Sequence, residues 1–358
     1  MASDEAIARA PRVRSGVAAA VASRGGLIGA LRDRHLGLVL LAPGAVTFLV
    51  LLVFPLGYGI YTSFLQRHVL DPEGVWVGLD NYAWLLSNRE FWHSLTLSTL
   101  WAGATVGLQI ILGTAVALLL HQNFKGRAMV RGLVLFPYMM PVVSVVLVWM
   151  LLYNALYGVV NWLLVQAGII AAPIAWLSQP DSAFWAVVFV GVWKYFPFVV
   201  VIVLARLQVI PQDLYEAARI DGASAWSRFV DITLPQLRDV LLVVALLRTI
   251  FMFNNFEIIF LLTGGGPLKA TMTLPIMVYE QAFGIYELGR GSTIAVVMFL
   301  ILIAVMSIYF AFLRKEDEPG HLPFDDRLLA RFLDGLVILR RGRQEGAPAR
   351  PAEGRVTN

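Results

Sequence analysis

Long apolar segments alternate with short polar segments along most of this chain. A helix of roughly 20 residues crosses a bilayer core of about 30 Å, whereas an open sheet there would leave backbone groups unpaired. The pattern therefore predicts an all-α polytopic membrane protein with six transmembrane helices. The predicted spans are 37–64, 94–120, 133–153, 183–205, 239–262 and 291–313.

The composition agrees with this class and excludes others. Of the 358 residues, 58% are hydrophobic and 15% are charged, and the mean hydropathy is +0.72. A soluble domain carries about 25% charged residues. The chain has no cysteine, so disulfides and thiolate chemistry are excluded. The net charge of +4 is weak evidence for a nucleic-acid partner, and basic residues also lie beside apolar spans, where they set orientation, so no nucleic-acid partner is expected.

The distribution of basic residues predicts the orientation of the spans. Segment 121–132 holds three bases and no acid, and segment 206–238 holds four arginines, whereas segment 154–182 holds no base. Loops rich in Lys and Arg remain in the cytoplasm. We therefore expect both termini in the cytosol.

The predicted organisation has three parts. Residues 1–36 form a cytosolic tail rich in Arg and Ala, without the apolar region of a signal peptide. Residues 37–313 form the membrane domain, and residues 314–358 form a polar cytosolic tail. Within that last part, 324–343 is drawn as an amphipathic helix that lies either on the membrane surface or against the protein.

The polar segment 206–238 has the features of a rigid helix–turn–helix. Asp213, with Glu216 three residues later, fits a capping box at a helix start. Two alanines follow, which combine high helix propensity with little bulk, so another surface can approach closely. Gly222 supplies the backbone freedom for a break, and Pro235 suits the first turn of the next helix.

The residues Glu216-Ala217-Ala218-x3-Gly222-x9-Ile232-x-Leu234-Pro235 resemble the EAA loop of the membrane subunits of ATP-binding-cassette (ABC) importers. In that family this loop is where the permease docks on its ATPase. The other interpretation is an ordinary amphipathic connector, but the full spacing favours docking. The resemblance implies that the ATPase contacts are Tyr215, Glu216, Ala217, Ala218, Arg219, Asp221 and Gly222.

Other motifs are similar to the carbohydrate-uptake branch of these permeases. They are Gly78-Leu79-Asp80-Asn81-Tyr82, Thr263-Gly264-Gly265-Gly266-Pro267 and Asn254-Asn255-Phe256, the last similar to the larger membrane subunit of maltose importers. The resemblance covers roughly 37–313. It implies a type I importer permease fold in the bacterial inner membrane, working by alternating access.

The same resemblance implies several partners. They are a second permease in a heterodimer, an ABC ATPase dimer, an extracytoplasmic solute-binding protein, membrane lipid, and a sugar or an anionic sugar derivative. ATP and Mg would be bound by the partner ATPase, so no cofactor is expected in this chain.

Polar residues inside the spans are the candidates for the substrate pathway, because they are costly in lipid. Asn254 and Asn255 have amides that both donate to and accept from sugar hydroxyls. They would point about 100° apart on a helix, so only one would line the pathway. Glu257 follows them. In the fourth span Tyr195 and Phe198 could stack on sugar rings.

Two cationic residues within the predicted spans have open interpretations. Lys194 could meet an anionic substituent of the substrate, or it could be a structural partner of Glu257 or of a helix-end carbonyl. Arg248 could snorkel towards the interface or pair with a neighbour. Tyr138, in the third span, could also line the pathway.

No catalytic or metal site is expected. Gly264–Lys269 lacks the Gly-Lys-Ser/Thr of a P-loop, and the five histidines are scattered without metal-ligand spacing. The alternative function, an ion-gradient-driven secondary transporter, predicts carboxylates within the spans. Only Glu257 fits that prediction, and the docking loop would have no role. A membrane-embedded enzyme is disfavoured because no catalytic constellation is present.

Overall fold

The computed structural model describes residues 33–71 and 73–314. These residues are mainly helical, with a short antiparallel ribbon of β1 (Leu65–Gln66) and β2 (Val75–Trp76). Short π-helical turns occur at Leu49–Val53, Phe229–Thr233 and Glu280–Gly284. The helices are α1 (Asp33–Phe48), α2 (Phe54–Ser63), α3 (Asp80–Ser87), α4 (Arg89–His121), α5 (Arg127–Met139), α6 (Val142–Leu152), α7 (Val159–Gln166), α8 (Pro180–Leu207), α9 (Gln212–Ile220), α10 (Ala225–Arg228), α11 (Leu234–Phe253), α12 (Glu257–Thr263), α13 (Leu274–Tyr279) and α14 (Leu288–Arg314).

The six predicted spans occur as four single spans and two bent pairs of helices. By length and composition, the single spans are Leu40–Ser63, Arg89–His121, Pro180–Leu207 and Leu288–Ala311. The third predicted span consists of α5 and α6, which meet at 96°, and the fifth consists of α11 and α12, with a bend of 42°. The six predicted segments therefore correspond to four continuous helices and, if each bent pair is counted as one span, two broken spans.

Each bend has a local cause. Pro141 follows Met140, and a proline disfavours helical geometry in the residue before it. Met140 accordingly has ψ 140°, which ends α5. At the other bend, Asn254 ends α11 with ψ 3°, and its amide donates to the carbonyl oxygen of Ile250 at 2.9 Å. Such local side-chain bonds compete with helix continuation.

The core of the described chain lies between α4, α8 and α11. Its packing depends on two glycines that let helices approach closely. A Cβ at Gly113 of α4 would lie 2.6 Å from the Cβ of Val199, and one at Gly191 of α8 would lie 2.6 Å from the ring of Trp101. The buried cluster around the first contact contains Ala117, Leu120, Val199, Val200, Val203, Leu204, Leu207, Ile210, Leu237 and Val244.

The β ribbon is attached to α2 through Asn81 of α3. The buried amide of Asn81 donates to the carbonyl oxygens of Ser63, at 3.0 Å, and Leu65, at 2.9 Å. The hydroxyl of Tyr82 lies 2.6 Å from that of Ser63. The motif 78–82 therefore has a structural role, because it satisfies backbone groups where α2 ends.

The chain divides into two units, residues 1–298 and 299–358. In the second unit the described residues, 299–314, are the carboxyl-terminal part of α14. The predicted division at 36 and 313 stays a prediction. Most of the first tail, and 315–358 with its predicted helix 324–343, lie outside the described residues.

Candidate functional site

The segment 206–238 folds into two short helices and a π-helical turn before α11 begins. Helix α9 begins at Gln212 after Pro211, which has no side-chain oxygen to cap it. The predicted capping box is therefore wrong, because Asp213 already lies inside the first turn. There it still places negative charge near the positive end of the helix dipole. The predicted position of Pro235 is confirmed, since it lies in the first turn of α11.

A Schellman turn ends α9 at Gly222. The N–H of Gly222 donates to the carbonyl oxygen of Arg219 at 3.1 Å, and that of Ala223 to the carbonyl of Ala218 at 2.9 Å. This motif needs a left-handed residue at the turn, which glycine adopts at little cost. Gly222 has φ +77°, as the motif requires. The predicted break is therefore confirmed as a hydrogen-bonded turn.

Segment 206–238 is held to the membrane helices by hydrogen bonds of Arg206, at its start, and by packing of Tyr215. Arg206, at the end of α8, donates from Nε to the carbonyl oxygen of Gln236 at 2.9 Å and from Nη2 to its side-chain oxygen at 3.0 Å. Tyr215 packs against the core cluster, and its hydroxyl lies 3.0 Å from that of Thr233. Tyr215 is thus half-buried against its own chain.

The remaining candidate ATPase contacts lie on the side of segment 206–238 that faces away from the membrane helices. Glu216, Ala217, Arg219, Asp221 and Gly222 are exposed, and Ala218 is half-buried. Two large apolar residues that the sequence reasoning missed join them. Ile220 is 86% exposed, and Trp226 is 73% exposed. The sequence pattern that could have indicated them is a large apolar residue on each side of a glycine turn within a polar segment.

The second candidate site is a buried cluster of polar and aromatic residues around Lys194 of α8. Lys194 is 3% exposed. Its Nζ donates to the carbonyl oxygens of Pro137 at 3.1 Å, Tyr138 at 3.0 Å and Met140 at 2.6 Å. These oxygens belong to the carboxyl end of α5. The sequence left three possible partners for Lys194: the substrate, Glu257 and helix-end carbonyls. In the structure its partners are helix-end carbonyls.

Arg248 of α11 also lies against Tyr195. It is 3% exposed, so the snorkelling interpretation is wrong, because its guanidinium is enclosed by neighbouring helices. Its Nε donates to Oε1 of Gln109 at 2.8 Å. The guanidinium carbon lies 4.8 Å from the ring centre of Tyr195 and 5.4 Å from that of Phe198. Gln109, which the sequence reasoning missed, links α4 to this cluster.

The candidates Asn254, Asn255 and Glu257 lie at the bend between α11 and α12. The expectation that the two asparagines share a continuous helix is wrong, because α11 ends before them. Asn254 is exposed, and Asn255 is half-buried near the side chain of Tyr195. Glu257 is exposed, in the first turn of α12.

The structure therefore brings Lys194, Tyr195 and Phe198 together, with Asn255 beside them. Tyr138 joins this group, since its ring centre lies 6.4 Å from that of Tyr195 and 6.1 Å from that of Phe198. Aromatic faces with amide and hydroxyl groups can bind polyhydroxylated molecules by stacking and hydrogen bonds. Among the described residues, no group of three His, Asp or Glu side chains could hold a metal ion.

The chain is similar to known transport proteins. The sequence profile of the family described as "Binding-protein-dependent transport system inner membrane component" matches residues 109–316. A second profile, of a family of unknown function, matches residues 309–342, most of which lie outside the described residues.

Two curated relatives cover most of this chain. The trehalose/maltose transport system permease protein MalF of Thermococcus litoralis is 40% identical over 78% of this chain and 93% of that protein. The sulfoquinovosyl glycerol transport system permease protein SmoG of Agrobacterium fabrum is 34% identical over 80% of this chain and 93% of that protein.

The fold matches that of a solved transporter. One chain of a bacterial ABC transporter involved in the import of the acidic polysaccharide alginate superposes with a TM-score of 0.71 and 22% identity, over 82% of this chain and 99% of that chain. This likeness confirms the type I permease fold, and nothing supports a secondary transporter. The chain belongs to the family of binding-protein-dependent transport system inner membrane components, and it is a multi-pass permease subunit of an ABC importer.

Proposed function

We propose that this chain forms half of the translocation pathway of a sugar importer and pairs with a second permease of different sequence. Its relatives are named for the transport of trehalose, maltose and sulfoquinovosyl glycerol, all of which contain sugars. The rings of Tyr138, Tyr195 and Phe198 offer apolar faces for a sugar, and Asn255 and Glu257 offer polar groups at the neighbouring bend. The transported molecule is a sugar or an anionic sugar derivative.

The energy for transport comes from a separate ATPase dimer that binds ATP and Mg and docks on segment 206–238. The observation that carries this proposal is the rigidity of the segment. A Schellman turn at Gly222 and the Arg206–Gln236 contacts fix its shape, so a displacement by the ATPase would reach α8 and α11. Exposed Ile220 and Trp226 offer apolar contacts beside the charges of Glu216 and Arg219.

In this arrangement both termini lie in the cytosol with the docking segment, and a solute-binding protein delivers the sugar on the opposite side. One related fold was solved with an alginate pentasaccharide-bound periplasmic protein, which supports a partner of that kind. Alternating access follows, because closure of the ATPase dimer would move the docking segments and open the pathway towards the binding protein. This chain itself would bind no nucleotide.

The test compares the same substitution at two glycines. Gly222 and Gly126 both have positive φ, +77° and +85°, and a Cβ at either would meet no atom within 4 Å. Gly222→Trp and Gly126→Trp therefore impose similar backbone strain, but only the first changes the proposed docking surface. Each variant is expressed with its partner subunits, and ATPase co-purification and sugar uptake are measured in proteoliposomes with the binding protein.

We expect Gly222→Trp to lose most of the bound ATPase and at least tenfold of the uptake rate, while Gly126→Trp retains both. The two variants should have similar thermal unfolding temperatures, because the substitutions impose similar backbone strain. Normal ATPase binding and uptake by Gly222→Trp would overturn the docking proposal. Equal losses of ATPase binding and uptake in both variants would also overturn it, because backbone strain would then explain the losses.

A further inference from the structure

The bend of the third span creates backbone groups that need partners. Helix α5 ends at Met139, and its last carbonyl oxygens have no partner within the helix. The next helix begins at Val142 in another direction, so it cannot supply N–H groups to them. In a bilayer, unpaired backbone groups are tolerated only where protein or water satisfies them. The bend is therefore stable only with a donor from elsewhere.

Lys194 supplies that donor, and it uses its whole hydrogen-bonding capacity to do so. A lysine ammonium has three N–H donors and no acceptor. Its three contacts are the carbonyls of Pro137, Tyr138 and Met140. The carboxyl end of a helix also carries a partial negative charge that favours a cation. No carboxylate of the described residues lies within ion-pair distance of Lys194.

Two aromatic rings enclose the rest of the ammonium group. Lys194 Nζ lies 5.5 Å from the ring centre of Tyr195 and 5.9 Å from that of Tyr138, within reach of cation–π attraction. Tyr138 thus contacts the ammonium through its carbonyl and its ring. A substrate in the pathway would meet the rings of Tyr138 and Tyr195, because no donor of Lys194 remains free for it.

We propose that Lys194 is a positioning residue that fastens the bend of the third span to the fourth span and holds Tyr138 and Tyr195 in place, and that it does not recognise an anionic group of the substrate. Its substitution should then weaken transport of neutral and anionic sugars by the same factor. This transport consequence rests on the proposed function, whereas the fastening of the bend does not.

The fastening is tested by distance measurement, for which the absence of native cysteine is an advantage. Spin labels are attached to Met139→Cys, at the end of α5, and Val209→Cys, just beyond α8; both positions are exposed, 79% and 68%. Val209 lies 15 residues after Lys194, or about 22 Å along a helix, which suits pulsed electron paramagnetic resonance. The width of the distance distribution is compared between variants in nanodiscs.

Lys194→Met, which keeps most of the length and the unbranched shape but removes all donors, should broaden the distribution at least twofold. Lys194→Arg, which keeps donors and charge, should restore most of the original width. The control is Lys269→Met, which removes a lysine from the loop after α12 and should change nothing. If Lys194→Met fails to fold, Lys194→Gln, which is shorter and has two donors, is measured instead and should also broaden the distribution. An unchanged distribution in whichever of these two variants folds would overturn the fastening.

The transport arm separates a positioning role from recognition. Uptake of trehalose and of sulfoquinovosyl glycerol, which carries a sulfonate, is measured with the assembled transporter. Lys194→Met should lower the maximal rate at least tenfold for every substrate that the parent transports, with little change in KM. A tenfold rise in KM for the sulfonated substrate alone would overturn the proposal. If the parent transports neither of these two sugars, its substrate is a different one, and the distance measurement decides the role of Lys194.

Discussion

Trp101 of α4 donates its indole N–H to the carbonyl oxygen of Met252 at 2.8 Å, at the carboxyl end of α11. The fifth span bends just beyond this point, and the same oxygen also accepts the backbone N–H of Asn255 at 3.1 Å. The arrangement parallels that of Lys194, which satisfies the carbonyls at the bend of the third span. Each bent span is thus held at its bend by a buried side chain from a single, unbroken helix.

Trp101→Phe should destabilise the protein by removing the donor to Met252 while keeping the aromatic ring. Hydrogen bonds between membrane helices contribute about 0.6 kcal/mol on average and at most about 1.7 kcal/mol. The expected loss lies near the average, because the buried Met252 oxygen keeps the hydrogen bond from the N–H of Asn255 at 3.1 Å. Thermal unfolding in detergent measures it. Trp185→Phe, at a site that is 55% exposed, should unfold within a degree of the parent.

Gly113→Ala and Gly107→Ala should have opposite effects, although both glycines lie on α4. Glycine in a helix costs about 0.5–1 kcal/mol relative to alanine. Position 107 has no atom within 4 Å of a new Cβ and should gain that stability. At position 113 the Cβ would lie 2.6 Å from Val199, and overpacking costs about 1–3 kcal/mol. A stabilised Gly113→Ala variant in thermal unfolding would contradict the close contact of α4 with α8.

Gln109 and Arg248 should show strong coupling in a double-mutant cycle. Gln109→Leu removes the oxygen that Arg248 Nε contacts at 2.8 Å and leaves a buried guanidinium short of an acceptor. A buried group that loses its hydrogen-bond partner costs about 1–3 kcal/mol, and more if it is charged, whereas replacing both partners with apolar residues can be nearly neutral. Gln109→Leu with Arg248→Met should therefore unfold at a higher temperature than Gln109→Leu alone. Additive effects of the two changes would show that the contact contributes no coupling energy.

Lys269 should tolerate glycine better than methionine. It forms an ion pair with Glu90, but its side chain is 48% exposed, and such pairs contribute about 0–1 kcal/mol. Lys269 also has φ +65°, a conformation that favours glycine over other residues. Both variants lose the pair, yet only Lys269→Gly relieves the backbone strain. Its unfolding temperature should equal or exceed that of the parent at high salt, where the ion pair is screened.

Much of the architecture follows from local patterns in the sequence. Apolar runs predicted six crossings, because each crossing needs a fixed length of apolar helix whatever it packs against. The docking segment was also predictable, since Gly222 and Pro235 act on the backbone near their own positions. Asp213 shows the limit of such rules, because Pro211 moved the helix start to Gln212 and took the cap position from it.

Only the tertiary structure decided the roles of the buried polar residues. Lys194 finds its acceptors more than 50 positions away, and Arg248 finds Gln109 at a separation of 139 residues. The sequence by itself determined that these groups are buried in a membrane protein and must be satisfied. The sequence could not determine which groups satisfy them. The partners of Lys194 are backbone oxygens, which every residue carries. These oxygens became available only because the helix ends at the bend near Met140.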